Sequence, residues 1–173
     1  SDGNTVLLPR WAVTDPGVIR PEDRRPPATV LREHMSDPAE EAMIRRDIAH
    51  EIRRRGGAER VVVLESADTS LVGRSIRDIS EARGIDPVQL AIDLQFEGDP
   101  ARPGGVHLRG FSMSEIDVEN YAAQPWVATA SDGGIAIPDD GSVHPRYYGT
   151  FPRKIRHYAM TAGALSVEAA IRS

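Results

Sequence analysis

Four prolines and a glycine crowd residues 14–27, from Thr14 to Pro27, and that stretch limits the fold more than any other. Proline fixes φ and lacks an amide donor, so neither a regular helix nor a central strand runs through it. The segment reads as a loop or crossing that separates a short apolar opening, Val6-Leu7-Leu8, from the body of the chain. Its Arg20, Arg24 and Arg25 interleave with Asp15, Glu22 and Asp23, which fits a solvated loop better than a phosphate site. A second break, Gly98-Asp-Pro-Ala-Arg-Pro-Gly-Gly105, falls later in the chain.

Between and after these breaks the helix and strand signals are short and well punctuated. Asp37-Pro38 places an aspartate at an N-cap and a proline at the first helical position. Met43, Ile44, Ile48 and Ile52 then recur at helical spacing until Gly56-Gly57. The Arg53–Arg55 run at that helix end complements the helix dipole. Arg60 to Glu65 reads as a buried strand. Ser75 with Asp78 caps a helix ended by Gly84, and Asp86-Pro87 opens another through Phe96. Val106–Phe111 reads as a strand, Ser112 with Glu115 as a helix cap, and Trp126–Ala130 as a further buried strand. Helices are expected from about Phe151 to Ala162 and from Ser166 to Ser173. The order strand, helix, strand, polar loop, helix after residue 105 is what parallel α/β sheets and barrels produce.

Composition excludes several classes. A chain of 173 residues with 40% hydrophobic and 27% charged content has enough material to fold without a disulfide or metal. It has no cysteine, so it holds no disulfide, Cys-ligated zinc or cysteine nucleophile, which fits a reducing, cytoplasmic compartment. A net charge of −5 argues against a nucleic-acid partner, and no apolar run reaches membrane-spanning length. Of 21 basic residues only Lys154 is lysine, a bias that a GC-rich genome produces cheaply. The chain begins at Ser1 without methionine and stops at Ser173 inside an apparent helix, as expected of trimmed ends or of a segment of a longer polypeptide.

The chemistry-bearing residues lie late. Asp132 comes just after the apolar run Trp126–Ala130, and Gly133-Gly134 lets the backbone turn there without a side chain blocking approach. In α/β folds, loops at the carboxyl ends of strands carry the chemistry. A helix or turn cap is the plain structural alternative for this aspartate. Downstream, His144-Pro-Arg-Tyr-Tyr-Gly-Thr-Phe-Pro-Arg153 is dense in functional side chains. Its Arg146 has the fork to hold a carboxylate, or else lies on the surface as an ordinary arginine.

Phe111-Ser-Met-Ser-Glu-Ile-Asp-Val118, Gln124-Pro-Trp-Val127, Ser131-Asp-Gly133 and His144–Arg153, in this order and spacing, resemble the C-terminal part of N-acyl-D-amino-acid deacylases, the D-aminoacylases of the amidohydrolase superfamily. Leu7–Ala12 resembles that family's segment leading into its inserted subdomain, and Leu71–Ile76 and Arg83–Pro87 resemble the later part of that insertion. The resemblance implies an α/β fold, with residues 105–173 as the last strands and helices of a metal-dependent (β/α)8 barrel. Residues 1–104 would then be a small inserted α/β subdomain. It implies a divalent metal, zinc in the usual case, whose His-x-His pair and other ligands this chain lacks; Asp132 is the one possible contributor. It implies Asp132 as general base on the attacking water and Arg146 as clamp on the substrate carboxylate, with His144 beside it in the substrate site. The expected partner is a small N-acyl amino acid, cleaved to a carboxylic acid and a D-amino acid. The piece itself is expected to be inactive alone, and to need the rest of its barrel or to self-associate. An amidohydrolase for a cyclic imide or ureido compound, and a non-catalytic binding module, are the alternatives.

Overall fold

Secondary structure tracks the punctuation closely up to residue 112 and less closely beyond it. The structure, a computed structural model, describes residues 3–18, 20–137 and 143–172. They fall into two compact units, Asp2–Ser112 and Met113–Ser173.

In the first unit the elements are β1 (Gly3–Thr5), α1 (Arg10–Val13), α2 (Pro27–His34), α3 (Pro38–Arg54), β2 (Val61–Glu65), α4 (Ile76–Arg83), α5 (Pro87–Glu97) and β3 (His107–Gly110). The aspartate–proline starts behave as their chemistry requires. Asp37 accepts the amide of Ala39 at 2.8 Å, and Asp86 accepts those of Val88 and Gln89. Ser75 and Asp78 close a reciprocal capping box, and Gly84 ends α4 in the left-handed region. The sheet order is β1-β3-β2, antiparallel throughout. Val61 lies opposite Gly110 and Val63 opposite Leu108. The pairing then slips, so that Glu65 meets His107 and Leu64 is the bulged residue. Residues 73–75 run along the outer edge of β2, with Val63 N–H donating to Arg74 and Gly73 N–H to Val63. Val61, Val63 and Leu108 point into one core with Ile44, Ile48, Ile76, Ile79, Leu90 and Leu94.

Three expectations are corrected here. Val106–Phe111 contributes a strand, but it is the middle of this antiparallel sheet and not part of a parallel array. Because β3 hydrogen-bonds to both neighbours, the division between units falls after Ser112, not between residues 104 and 105. Pro27 also starts a helix, α2, because a proline's fixed φ suits a first helical turn even when it closes a loop.

The second unit contains α6 (Glu115–Ala122), α7 (Arg146–Arg153), a π-helical stretch over Lys154–Thr161, and α8 (Val167–Arg172). The helix cap stands at Ser114, not Ser112, and makes no side-chain bond. Glu115 instead accepts from Tyr158 Oη at 2.5 Å and Arg153 at 2.7 Å, and Arg153 lies over the Tyr158 ring. Trp126–Ala130 forms no strand. An extended segment becomes a strand only when a second backbone takes its N–H and C=O groups, and no described residue pairs with it there. Trp126 is accordingly 73% exposed. Pro152 lies inside α7, and beyond it the helix widens, with Ala162 N–H reaching the carbonyl of His157 five residues back. The chain is thus mixed α/β. Among the described residues its only sheet is the three-stranded one, and no barrel is formed.

Candidate active site

Asp132 owes its position to a turn built by its neighbours. Ser131 Oγ accepts the amide of Gly133 at 3.2 Å, and Asp132 between them adopts φ +47°. Among the described residues it is the only non-glycine in the left-handed region, which asparagine and aspartate enter at the lowest cost. Gly133 and Gly134 lie against Tyr147. A Cβ on Gly133 would come within 3.2 Å of the Tyr147 Cα, and one on Gly134 within 3.3 Å of its ring. Side chains there would push the turn off α7.

The sequence reads His144 to about Thr150 as loop, with a helix from about Phe151; in the structure the chain is helical from Arg146 onward. His144 makes that start possible. Its Nδ1 accepts the Arg146 amide at 3.1 Å and its carbonyl accepts that of Tyr147. An imidazole that accepts at Nδ1 carries its proton on Nε2. The ring is buried, so the structure shows His144 ordering the first turn of α7. The amide it holds belongs to Arg146.

These two local structures bring Asp132 and Arg146 together. Oδ2 of the aspartate lies 3.2 Å from a terminal guanidinium nitrogen, with the side chains 88% and 36% exposed respectively. Nε of Arg146 is buried and has no hydrogen-bond partner. Two further ties hold the segment before and after the turn. Lys154 Nζ donates to Thr129 Oγ1, and Tyr148 Oη donates to the carbonyl of Ala136. Burial of Lys154 pushes its ammonium below the ordinary lysine range. Sequence reasoning assigns no role to Lys154, Tyr147 or Tyr148. The signal available for the first is its solitude: one lysine in a chain whose other basic residues are all arginine. Residues 138–142, in the polar loop between the two motifs, lie outside the described residues.

The donors present decide whether a metal fits. Among the described residues no group of three histidine, aspartate or glutamate side chains is placed to hold an ion, and the chain has no cysteine. Asp132 stands alone as an oxygen donor, so these residues do not make a metal centre by themselves. No described helix is long and apolar enough to cross a membrane. Two surface hollows, one beside Leu8, Arg10, Asp47 and His50 and one beside Gln124, Trp126, Leu165 and Arg172, include neither Asp132 nor Arg146.

No protein-family profile matches the chain. It is 35% identical over 101 residues to a D-aminoacylase of Alcaligenes xylosoxydans xylosoxydans, covering 58% of this chain and 18% of that protein. It is 32% identical over 99 residues to an N-acyl-D-glutamate deacylase of the same organism, covering 57% and 18%. A solved D-aminoacylase, characterised for the functional role of its binuclear metal centre, is 29% identical; the match covers 65% of this chain and 21% of that one, with a TM-score of 0.49. The chain therefore spans less than a fifth of the length of the curated relatives it matches. Over about 100 residues its sequence is similar to those of these two hydrolases, a D-aminoacylase and an N-acyl-D-glutamate deacylase.

Proposed function

We propose that this chain is the C-terminal, base-and-clamp portion of an N-acyl-D-amino-acid deacylase. The observation that carries the reading is the juxtaposition of Asp132 and Arg146, distant in sequence and 3.2 Å apart in space. Hydrolysis of an N-acyl amino acid needs a group to take a proton from water and return it to the leaving nitrogen. It also needs a cation to hold the carboxylate that marks the substrate as an amino acid. Asp132 is exposed and backbone-anchored, as a proton carrier must be. Arg146 offers a planar fork for a carboxylate, fixed at its base by His144. The aspartate accepts the proton of the attacking water at Oδ and delivers it to the amine nitrogen as the C–N bond breaks, giving a carboxylic acid and a D-amino acid. The clamp keeps the amide within reach of that carboxylate.

In this reading residues 113–173 supply the end of a (β/α)8 barrel in the complete protein. A divalent metal, zinc by family resemblance, would be held there by residues outside this chain. The unpaired Trp126–Ala130 segment and the many exposed apolar side chains of the second unit support such an origin, since both lack the cover a complete barrel provides. The isolated chain is then inactive. The test is a substrate panel on a longer protein containing this chain. Release of amine from N-acetyl-D-alanine, with little from the L form, is the expected result. Turnover of a cyclic imide or ureido compound instead would replace the substrate assignment, and no turnover of any amide would leave a binding module.

A further inference from the structure

We infer that Asp132 and Arg146 block one another at rest, and that the substrate's carboxylate unblocks both by taking the aspartate's place on the guanidinium. The consequence for catalysis rests on the deacylase reading; the exchange itself does not. Three observations carry it. First, the contact is loose. At 3.2 Å it is longer than the well-closed pairs Arg45–Glu41 and Arg153–Glu115 at 2.7 Å and Arg83–Glu97 at 2.8 Å, though shorter than the open pairs Arg46–Asp47 at 3.6 Å and Arg102–Glu65 at 3.9 Å. Charge-assisted N–H···O bonds ordinarily close to about 2.7–2.9 Å. Second, Asp132 engages a single terminal nitrogen of the guanidinium. A carboxylate able to form the two parallel bonds that a guanidinium favours outcompetes a single long one. Third, Asp132 does not depend on Arg146 for its position. The Ser131–Gly133 turn and the Gly133–Tyr147 contact fix its backbone, so losing the pair frees the side chain without releasing the loop.

The exchange moves no covalent bond and no proton. One carboxylate leaves the guanidinium and another arrives. A carboxylate engaged by arginine has one oxygen committed; released, both oxygens are available to a water. The substrate carboxylate thereby acts as anchor and as activator. An amide without a carboxylate leaves Asp132 where it is, which excludes such amides by rate as well as by affinity.

The exchange is read on this chain by binding, without turnover. The Arg146 Nε–H resonance, assigned by its loss in Arg146→Lys, is followed by nitrogen–proton correlation during titration with N-acetyl-D-alanine. The control is N-acetyl-ethylamine, which lacks the carboxylate. In Asp132→Asn the internal competitor is weakened, so half-saturation should fall about two- to fivefold, the range an exposed ion pair of ordinary strength commands. Asp132→Gly, which also relieves the left-handed residue, should tighten binding equally and guards against a misfolded asparagine variant. Unchanged or weaker binding in both variants overturns the exchange, as does an equal response to N-acetyl-ethylamine. A longer protein that fails to deacylate would refute the functional reading and leave this result standing.

Discussion

Asp132 combines two demands that pull on the same residue: a left-handed backbone and an exposed carboxylate. Asparagine meets the first and not the second. In a complete protein carrying this chain, Asp132→Asn should therefore keep its melting temperature while kcat falls by about 10²-fold or more, the scale of a lost general base. Thermal melts and steady-state rates measured side by side check this, and kcat within about threefold of the parent refutes the role. Arg146→Lys tests the fork. Lysine keeps the charge and loses the planar geometry, so kcat/KM on an N-acyl amino acid should fall by about 2 kcal/mol, within the range for hydrogen bonds to charged groups. An N-acyl amine should show no such loss. An equal effect on both substrates would make the arginine structural. Lys154 carries a different prediction. It is buried, with its ammonium on Thr129, in a chain that elsewhere uses arginine for every basic side chain. A guanidinium is larger than the buried ammonium it would replace, and overpacking costs roughly 1–3 kcal/mol. Lys154→Arg should thus destabilise the second unit by that amount in urea denaturation, although it matches the chain's own preference.

At the scale of elements, the loop 98–105 shows how much a Pro/Gly-rich stretch can be specified by a single helix residue. Gln95, fully buried at the end of α5, donates to the carbonyl of Arg102 and accepts the amide of Gly104 at 2.7 Å. Gly105 has φ +71°, and a Cβ there would lie 1.8 Å from the carbonyl oxygen of Leu94. Gly105→Ala should accordingly cost more stability than Gln95→Ala, and Gln95→Ala about 2 kcal/mol for the buried partners it strands; chemical denaturation ranks the two. Each unit also carries an acid-sensitive carboxylate. Hydrogen bonds from Arg54 and Arg55 hold Glu51 down to about 2, and those from Tyr158 and Arg153 hold Glu115 down to about 2. A carboxylate depressed on folding adds stability that is full above its unfolded value near 4.5 and is lost as pH falls towards 2. Both are partly exposed, so each contributes about 1 kcal/mol. Glu51→Gln should flatten the loss of stability between about pH 5 and 2, read as Tm against pH, and an unchanged slope would refute it. These elements also mark what the sequence could say. Caps, glycine stops and the strands around Val61 and Leu108 are legible because their signals are local. The direction of β3 is not, since pairing is a matter of which backbone lies alongside. Nor is the deeper role of Arg55, which reads as one of three cations at a helix end. It donates to Thr5 and to the carbonyl of Val6 as well as to Glu51, tying α3 to the chain around β1.

Taken whole, the chain is uneven in how it satisfies its own hydrophobic surface, and that unevenness separates what is readable in the sequence from what is not. The first unit closes a core of twenty buried apolar residues around its sheet. In the second, α6 buries none of its residues, Ile135 is 97% exposed, and Met113, Ile116, Tyr121, Trp126, Tyr148 and Phe151 face outward. The pattern at Trp126–Ala130 reads as an apolar strand, yet a strand is a relation between two segments, and among the described residues none lies alongside this one. The site is legible to the same extent. Asp132 and Arg146 are identifiable by type and spacing, whereas their mutual contact depends on the Gly133–Tyr147 approach, which no spacing rule encodes. Exposed apolar side chains beside an extended segment that pairs with no described strand present both a hydrophobic patch and a backbone edge, the two ingredients of edge-to-edge association. The 173-residue chain in dilute buffer should therefore self-associate with rising concentration. Trp126→Ser with Ile135→Ser should reduce that association without lowering the stability of the first unit, because neither residue belongs to its core. Light scattering over a concentration series measures the first effect and amide-exchange protection in α3 and β2 the second. A parent chain that stays monomeric across the series would show that the second unit covers its apolar surface by itself, and would remove the main physical support for its origin in a larger barrel.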